Sequence, residues 1–260
     1  MLETDDLLVD HRDDGALRLT FNRPEVFNAF SGELSVALAE RLEDAATRDD
    51  VRVVVLSGTG AAFSAGADIS GADAHERFDV RALDAANRII RAVTGCPQPV
   101  VAAVNGVAAG VGCSTALAAD LVVAAESASF LLAFARIGLM PDGGTSATVA
   151  ASIGRARAMR MALLAEPLSA RDAYDAGLVS HVASDEEFAG LVDRIVGRLV
   201  KGAPLAQAAT KKAVNAATLD QLEPALERER VGQTILLRTA DAAEGMRAFS
   251  EGRRPGFHGD

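Results

Sequence analysis

A chain of 260 residues, 49% of them hydrophobic, can bury a large core as one domain or two small ones and fold unaided. A formal net charge of −10, no basic run longer than Lys211-Lys212 or Arg253-Arg254, and 4% aromatics without tryptophan exclude a nucleic-acid footprint and base-stacking platforms. Two cysteines without a CxxC pair and four scattered histidines give no support to a disulfide framework or a metal site; no apolar run reaches ~18 residues and Met1–Asp14 is acidic, which predicts a soluble, cytoplasmic protein without a membrane partner.

In chain order, Leu7–His11 and Ala16–Asn22 flank Asp13-Asp14-Gly15 as a hairpin, with Leu17, Leu19 and Phe21 alternating with polar neighbours. Ser31 opens a helix as its N-cap, and Leu34, Leu38 and Leu42 form its apolar stripe. Val53–Leu56 is a β-branched strand closed by Ser-Gly-Thr-Gly and followed by an exposed small-residue loop, Ala61–Asp68; Phe78–Thr94 is an amphipathic helix. The pattern repeats with the strand Pro99–Val104, the turn Asn105-Gly106 and the helix Gly110–Ala119. It begins a third time with Leu121–Ala125 and the extended Ser127–Phe134. Alternation of this kind means an α/β architecture. Helices then dominate: Thr145–Ile153, Arg155–Leu164 and Ser169–Ala176, a short strand Leu178–Val182, and Glu186–Lys201, Pro204–Ala217, Leu219–Arg238 and Asp241–Glu251. A soft boundary near Gly197–Gly202 divides a core, 1–198, from a helical tail, 199–260.

The two strand-to-helix loops carry the chemical signal. Ala61–Asp68 and Gly106–Gly112 are nearly bare of side chains, so a ligand can touch the main chain, and a helix N-terminus adds unpaired donors and a positive dipole end. Facing each other, such N–H groups could hold a thioester oxygen that becomes negative during reaction, worth about 3–4 kcal/mol per donor. The same residues also suit two tight turns with glycines for packing. The spacing G-x-x-x-G-x-G over Gly106–Gly112 occurs in nucleotide-binding dehydrogenases too, but there it sits near the N-terminus and is accompanied by Tyr-x-x-x-Lys. Here it lies mid-chain, and the single tyrosine, Tyr174, has Leu178 four residues on.

Taken together, these motifs resemble the crotonase superfamily of enoyl-CoA hydratases and isomerases. The resemblance is carried by Asn22-Arg23-Pro24 with Asn28-Ala29, Phe63–Ile69, Pro99–Asp120, Ile137–Pro141, Asp172-Ala173, Ala176–Val179 and Phe249–Phe257. It implies a spiral of repeated ββα units and homotrimers or hexamers formed partly by C-terminal helices. It also implies an acyl-CoA substrate, with coenzyme A arriving as part of that substrate and no permanently bound cofactor. The backbone N–H groups of Ala67 and Val111 match the oxyanion-hole donors. Ala65, Asp68 and Ile69 match the loop segment that lines the coenzyme A pocket, Ser70 stands where hydratases often have a lysine, and Gly66, Gly110 and Phe134 complete the implied substrate-binding set, although Asp68 has the chemistry of a plain helix cap as well.

The chain departs from the hydratase pattern where two glutamates activate water: the matching residues are Ser114 and Phe134, neither of them a carboxylate. Asp142, in Pro141-Asp142-Gly143-Gly144, instead resembles the acidic residue of Δ3,Δ2-enoyl-CoA isomerases and of the ring-expanding isomerases of phenylacetate breakdown. The composition of that segment equally suits a turn. The isomerase reading predicts that burial among apolar neighbours raises the Asp142 pKa toward working pH. Hydration, and acyl-CoA binding without catalysis, are the alternatives. His75, Glu76 and Arg77 follow the first loop as surface residues; Arg81, Arg88 and Arg91 read as a solvated stripe, and Lys211 and Lys212 are open to either a surface or a phosphate role.

Overall fold

The computed structural model describes residues 2–70 and 74–260, with the Arg77 side chain outside the described residues. β1 (Leu7–His11) pairs antiparallel with β2 (Ala16–Phe21), forming the expected hairpin. Ser31 caps α1 (Gly32–Ala45) by accepting the Leu34 N–H at 3.0 Å, and Leu34, Leu38 and Leu42 bury the stripe below it. Next come β3 (Val53–Gly58), β4 (Ala62–Ser64), α2 (Ala74–Arg77) and α3 (Val80–Gly95). The second unit is β5 (Val100–Val104), β6 (Val107–Ala109) and α4 (Gly110–Ala118). The third has β7 (Leu121–Ala125), β8 (Ser129–Leu131), a 3-10 turn at Ala133–Ile137 and α5 (Thr145–Leu164), which Gly154 (φ +77°) kinks into the two expected halves. β9 (Leu168–Ser169), α6 (Ala170–Ala176), β10 (His181–Ala183), α7 (Asp185–Val200), α8 (Pro204–Thr218), α9 (Leu222–Leu236) and α10 (Ala240–Ser250) complete the chain.

One sheet has the order β1-β2-β3-β5-β7-β10 and is parallel apart from the hairpin; the other has the order β4-β6-β8-β9 and is parallel apart from its last pair. Each unit thus adds one strand to both sheets in the same sequence, and the chain advances as a crotonase-type spiral. Two of the short strands correct the sequence reading, which takes Ala62–Ser64 as loop and passes from turn to helix across Val107–Ala109. Three residues are too few to display a period-two pattern, and pairing between neighbouring turns of the spiral supplies the order. The last strand is also shifted, to His181–Ala183. Leu178 and Val179 are buried, but Gly177 (φ +84°) and the Leu178 N–H, which donates to the Ala173 carbonyl, use them to close α6 instead.

Alternation along β3 separates two cores. Val54 and Leu56 face the main cluster with α1 and α3, whereas Val53 and Val55 face Val192, Ile195 and Val196 of α7. α9 enters the main cluster through Leu222 and Leu226. α8 has no fully buried residue and is held instead by Lys211, whose Nζ lies 2.7 Å from Asp120 and also donates to the Val93 and Gln98 carbonyls. Lys211 is therefore a structural cation and not a solvated one.

Candidate active site

The spiral brings the two bare loops into contact. Gly66 (φ +100°) ends the β4 loop and Gly110 (φ +51°) begins α4; a Cβ on Gly66 would lie 2.9 Å from the Ala109 carbonyl oxygen, and one on Gly110 would lie 3.6 Å from the Gly66 Cα. The left-handed backbone calls for glycine at both positions, and the close approach calls for it at Gly66. Two residues further along α4, a Cβ on Gly112 would meet Ser64 at 2.6 Å, so the helix start is pressed against the strand before the loop.

Ala67 sits in a parallel bridge to Phe30: the Phe30 N–H donates to the Gly66 carbonyl and the Asp68 N–H to the Phe30 carbonyl. In a parallel bridge this pattern directs the Ala67 N–H away from the Phe30 strand. Val111 is the second residue of α4, in the first turn, whose N–H groups have no intrahelical acceptor. Two main-chain donors thus stand on adjoining loops.

The first loop is braced from behind. The Arg23 guanidinium pairs with Asp6 at 3.3 Å and Asp68 at 3.0 Å, while buried Asn28 (φ +57°) donates to the Thr59 and Ala62 carbonyls and accepts the Arg23 N–H. This is the physical content of the Asn22-Arg23-Pro24 and Asn28 motif. Asp68 also accepts from the Ser70 N–H and hydroxyl. Burial pushes its carboxyl up, but these hydrogen bonds and Arg23 outweigh burial and hold it below the usual range. Asp68 ties the loop to Arg23; it does not cap α2, which begins at Ala74. Ile69 packs against Ala74, Leu83, Leu237 and Met246, whereas Ala65 and Ser70 are exposed.

Asp142 reaches this region through Ser114, one turn after Gly110 on the same face of α4. The Ser114 hydroxyl lies 2.9 Å from the Asp142 carbonyl and 3.2 Å from the Gly110 carbonyl, so its one proton ties the two segments. Gly143 (φ +63°) and Gly144 (φ +76°) turn the chain back, and a Cβ on Gly143 would meet Ser114 at 2.7 Å. Pro141–Gly144 is therefore both a tight turn and the mount for a buried carboxylate. The residue is only 9% exposed, and burial lifts the carboxyl from its ordinary 3.8 to about 7, against the opposing effect of one hydrogen bond from Gln233 and with help from the nearby Glu229 charge. Phe134 is buried in the same core cluster as Val111.

Sequence reasoning missed Glu229 and Gln233. Leu222, Leu226, Glu229 and Gln233 recur at helical spacing along one face of α9, and all four are buried. Gln233 Nε2 donates to Asp142 Oδ2 at 3.0 Å and to the Met140 carbonyl at 2.9 Å, while its Oε1 accepts the Met140 N–H at 3.0 Å. Glu229 accepts the Gly144 N–H at 2.6 Å and the Ser146 N–H at 2.9 Å. The available signal was a pair of polar residues continuing an apolar stripe.

A family model described as enoyl-CoA hydratase/isomerase matches residues 11–260. The chain belongs to this family. Within the crotonase superfamily it is similar to the 1,2-epoxyphenylacetyl-CoA isomerase of Escherichia coli K12, with 36% identity over 259 residues covering 98% of this chain and 99% of that one. It is similar as well to a probable enoyl-CoA hydratase of Rhodobacter capsulatus, 40% identical with 95% of each chain covered. A solved enoyl-CoA hydratase from Mycobacterium avium subsp. paratuberculosis K-10 superposes with a TM-score of 0.93 at 46% identity, covering 98% of this chain and 100% of that one. The protein is thus an enzyme of the enoyl-CoA hydratase/isomerase family acting on acyl-CoA.

Outside the site, the arginine stripe is paired: Arg81 with Asp79, Arg88 with Glu43 and Arg91 with Glu223. His75 corrects the expectation of a solvated surface residue, since it is partly buried with Nε2 enclosed; the expectation for the Arg77 side chain lies outside the described residues. A cavity of about 340 Å³ between α5 and α6, lined by Ile153, Arg157, Met161 and Asp172 among others, contains none of the site residues. No helix among the described residues is long and apolar enough to cross a membrane, and no group of three or more potential ligands among them could hold a metal ion.

Proposed function

We propose that this enzyme isomerises the double bond of unsaturated acyl-CoA thioesters, with Asp142 as the single base. The carrying observation is a buried carboxylate whose pKa is raised to about 7, on a turn tied to α4 through the Ser114 hydroxyl, in a chain that has Ser114 and Phe134 at the positions the resemblance matches to a hydratase's two glutamates. The N–H groups of Ala67 and Val111 polarise the thioester carbonyl and hold the enolate oxygen, with Gly66 letting the two loops that carry them close on each other. Asp142 removes a proton from carbon 2 of a 3-enoyl thioester, the electron pair moves to the thioester oxygen, and its return shifts the double bond as Asp142 delivers a proton to carbon 4. Ala65, Asp68, Ile69, Ser70 and Phe134 shape the surroundings of the acyl and coenzyme A portions.

The hydratase route, as the resemblance gives it, uses two carboxylates flanking one water, whereas Glu229 is engaged by the Gly144 and Ser146 N–H groups behind the Asp142 turn. The test is turnover of purified enzyme on matched trans-3-enoyl-CoA and trans-2-enoyl-CoA. Isomerisation at least tenfold faster than hydration is expected; dominant 3-hydroxyacyl-CoA formation, or binding without turnover of either, would replace this reading. Because the base must be ionised in the free enzyme, kcat/KM should rise with pH through about 7 and then level. A profile already flat at pH 5 would remove Asp142 from that role.

The proposal includes assembly as a homotrimer or hexamer through the helical region 199–260, whose Leu205, Ile235 and Phe249 are 85%, 64% and 62% exposed. Sedimentation at the mass of three or six chains is expected, and a persistent monomer would contradict it.

A further inference from the structure

The two oxygens of Asp142 are not equivalent. Oδ2 accepts the Gln233 amide at 3.0 Å, whereas Oδ1 is buried with no hydrogen-bond partner among the described residues. A buried polar atom without a partner is costly and needs an explanation. The Gln233 amide is itself immobilised, because its two ends clamp the N–H and carbonyl of Met140, two residues before Asp142. One turn earlier on α9, burial raises the Glu229 carboxyl above its ordinary range, and the Gly144 and Ser146 N–H groups that hold it offset part of that rise. α9 therefore grips the Asp142 turn on both sides of the carboxylate.

We propose that Gln233 and Glu229 are positioning residues for Asp142: the Gln233 amide anchors Oδ2, the Glu229 carboxylate supplies a fixed neighbouring charge, and Oδ1 alone takes up and releases the proton. This deepens the isomerase reading and rests on it for the reaction. A carboxylate free to rotate could collect the proton on one oxygen and lose it from the other; the anchored one keeps it on Oδ1. The proton leaves carbon 2 for Oδ1 as the enolate forms, and leaves Oδ1 for carbon 4 as the enolate collapses. No water, oxidant or second base enters the balance. Glutamine suits the anchor because its amide keeps both a donor and an acceptor at every working pH.

Around Asp142, the elements packed against the turn offer few other charges. α4 presents the neutral Ser114, α3 presents Ile90 beside Gly143, and α9 presents Glu229, with Arg228 acting on Glu229. The two α9 side chains should then move the Asp142 titration in opposite directions. Losing the amide donor disfavours the carboxylate; losing the neighbouring negative charge favours it.

The experiment is a carbon-13 NMR titration of the aspartate carboxyl groups in the full chain, with Asp142 assigned by its absence in Asp142→Asn. Wild type should titrate near pH 7, Gln233→Met about one unit higher and Glu229→Gln about one unit lower. Midpoints that stay together, or move in the same direction, overturn the proposal. The two substitutions are independent, so if one chain fails to fold the direction of the other decides. Turnover on trans-3-enoyl-CoA is recorded beside each titration. If turnover is absent while the midpoints part as stated, the reaction assignment fails and the positioning of Asp142 stands; if turnover is present and the midpoints do not move, the positioning fails and the reaction stands.

Discussion

Asp142→Asn is expected to lower isomerase turnover about 10³-fold, within the roughly 10²–10⁴ that a positioned base contributes. Asparagine fits the same space and can still meet the Gln233 amide at 3.0 Å through its own oxygen, so the loss isolates proton transfer from shape. A second effect runs the opposite way. Between about pH 4 and 7 the unfolded carboxyl ionises while the buried one holds its proton, so wild-type stability falls as pH rises through that window and levels above about 7. The variant carries no such penalty. At pH 8 it should be more stable in urea by a few kcal/mol at most, since each unit of difference corresponds to about 1.4 kcal/mol. Near-normal turnover, or a variant less stable at pH 8 than at pH 4 by the wild-type margin, would contradict this account.

Lys211→Met should release α8. With no fully buried residue of its own, the helix depends on Lys211 in its pair with Asp120 and on Asn215, which donates to the Thr94 carbonyl at 3.3 Å. Removing one partner of a buried pair leaves the other charge stranded, typically costing about 3–5 kcal/mol. Asp120 keeps a hydrogen bond from the Val100 N–H, which softens the loss. Amide exchange across Pro204–Thr218 is therefore expected to accelerate roughly 10²-fold, about 3 kcal/mol at 1.4 kcal/mol per decade. Burial raises the Asp120 carboxyl while Lys211 lowers it, so without Lys211 it rises further. The penalty is full above that higher value and fades as pH falls through it. In the double variant with Asp120→Asn, the loss should be smaller than the sum of the two single losses. Unchanged exchange in Lys211→Met would show that α8 is held by something else.

The legible parts of the sequence were those with a repeating local cause. Alternation gave the hairpin, the run Val53–Leu56 gave β3, and Ser31 with Leu34, Leu38 and Leu42 gave α1. β4 and β6 escaped because strands of only three residues are held by their neighbours in the spiral, not by a pattern of their own. In the site, the bare glycine loops were legible as a pair that the fold brings into contact, and Asp142 stood out as the carboxylate of a turn. Its burial and the raised carboxyl were expected, but its polar partners were not readable: Gln233 lies 91 residues away in sequence, on a helix whose charged residues make Glu229 and Gln233 look like ordinary surface positions. Lys211 was hidden in the same way, since only tertiary packing turns a Lys-Lys pair into one buried and one exposed cation.

The central claim, that one buried carboxylate carries a proton from carbon 2 to carbon 4, is tested most directly with trans-3-enoyl-CoA dideuterated at carbon 2, followed by mass spectrometry of the first-turnover product. The account predicts a 2-enoyl thioester that has gained no water and retains transferred deuterium at carbon 4 above the solvent-exchanged background. A product heavier by one water would contradict it.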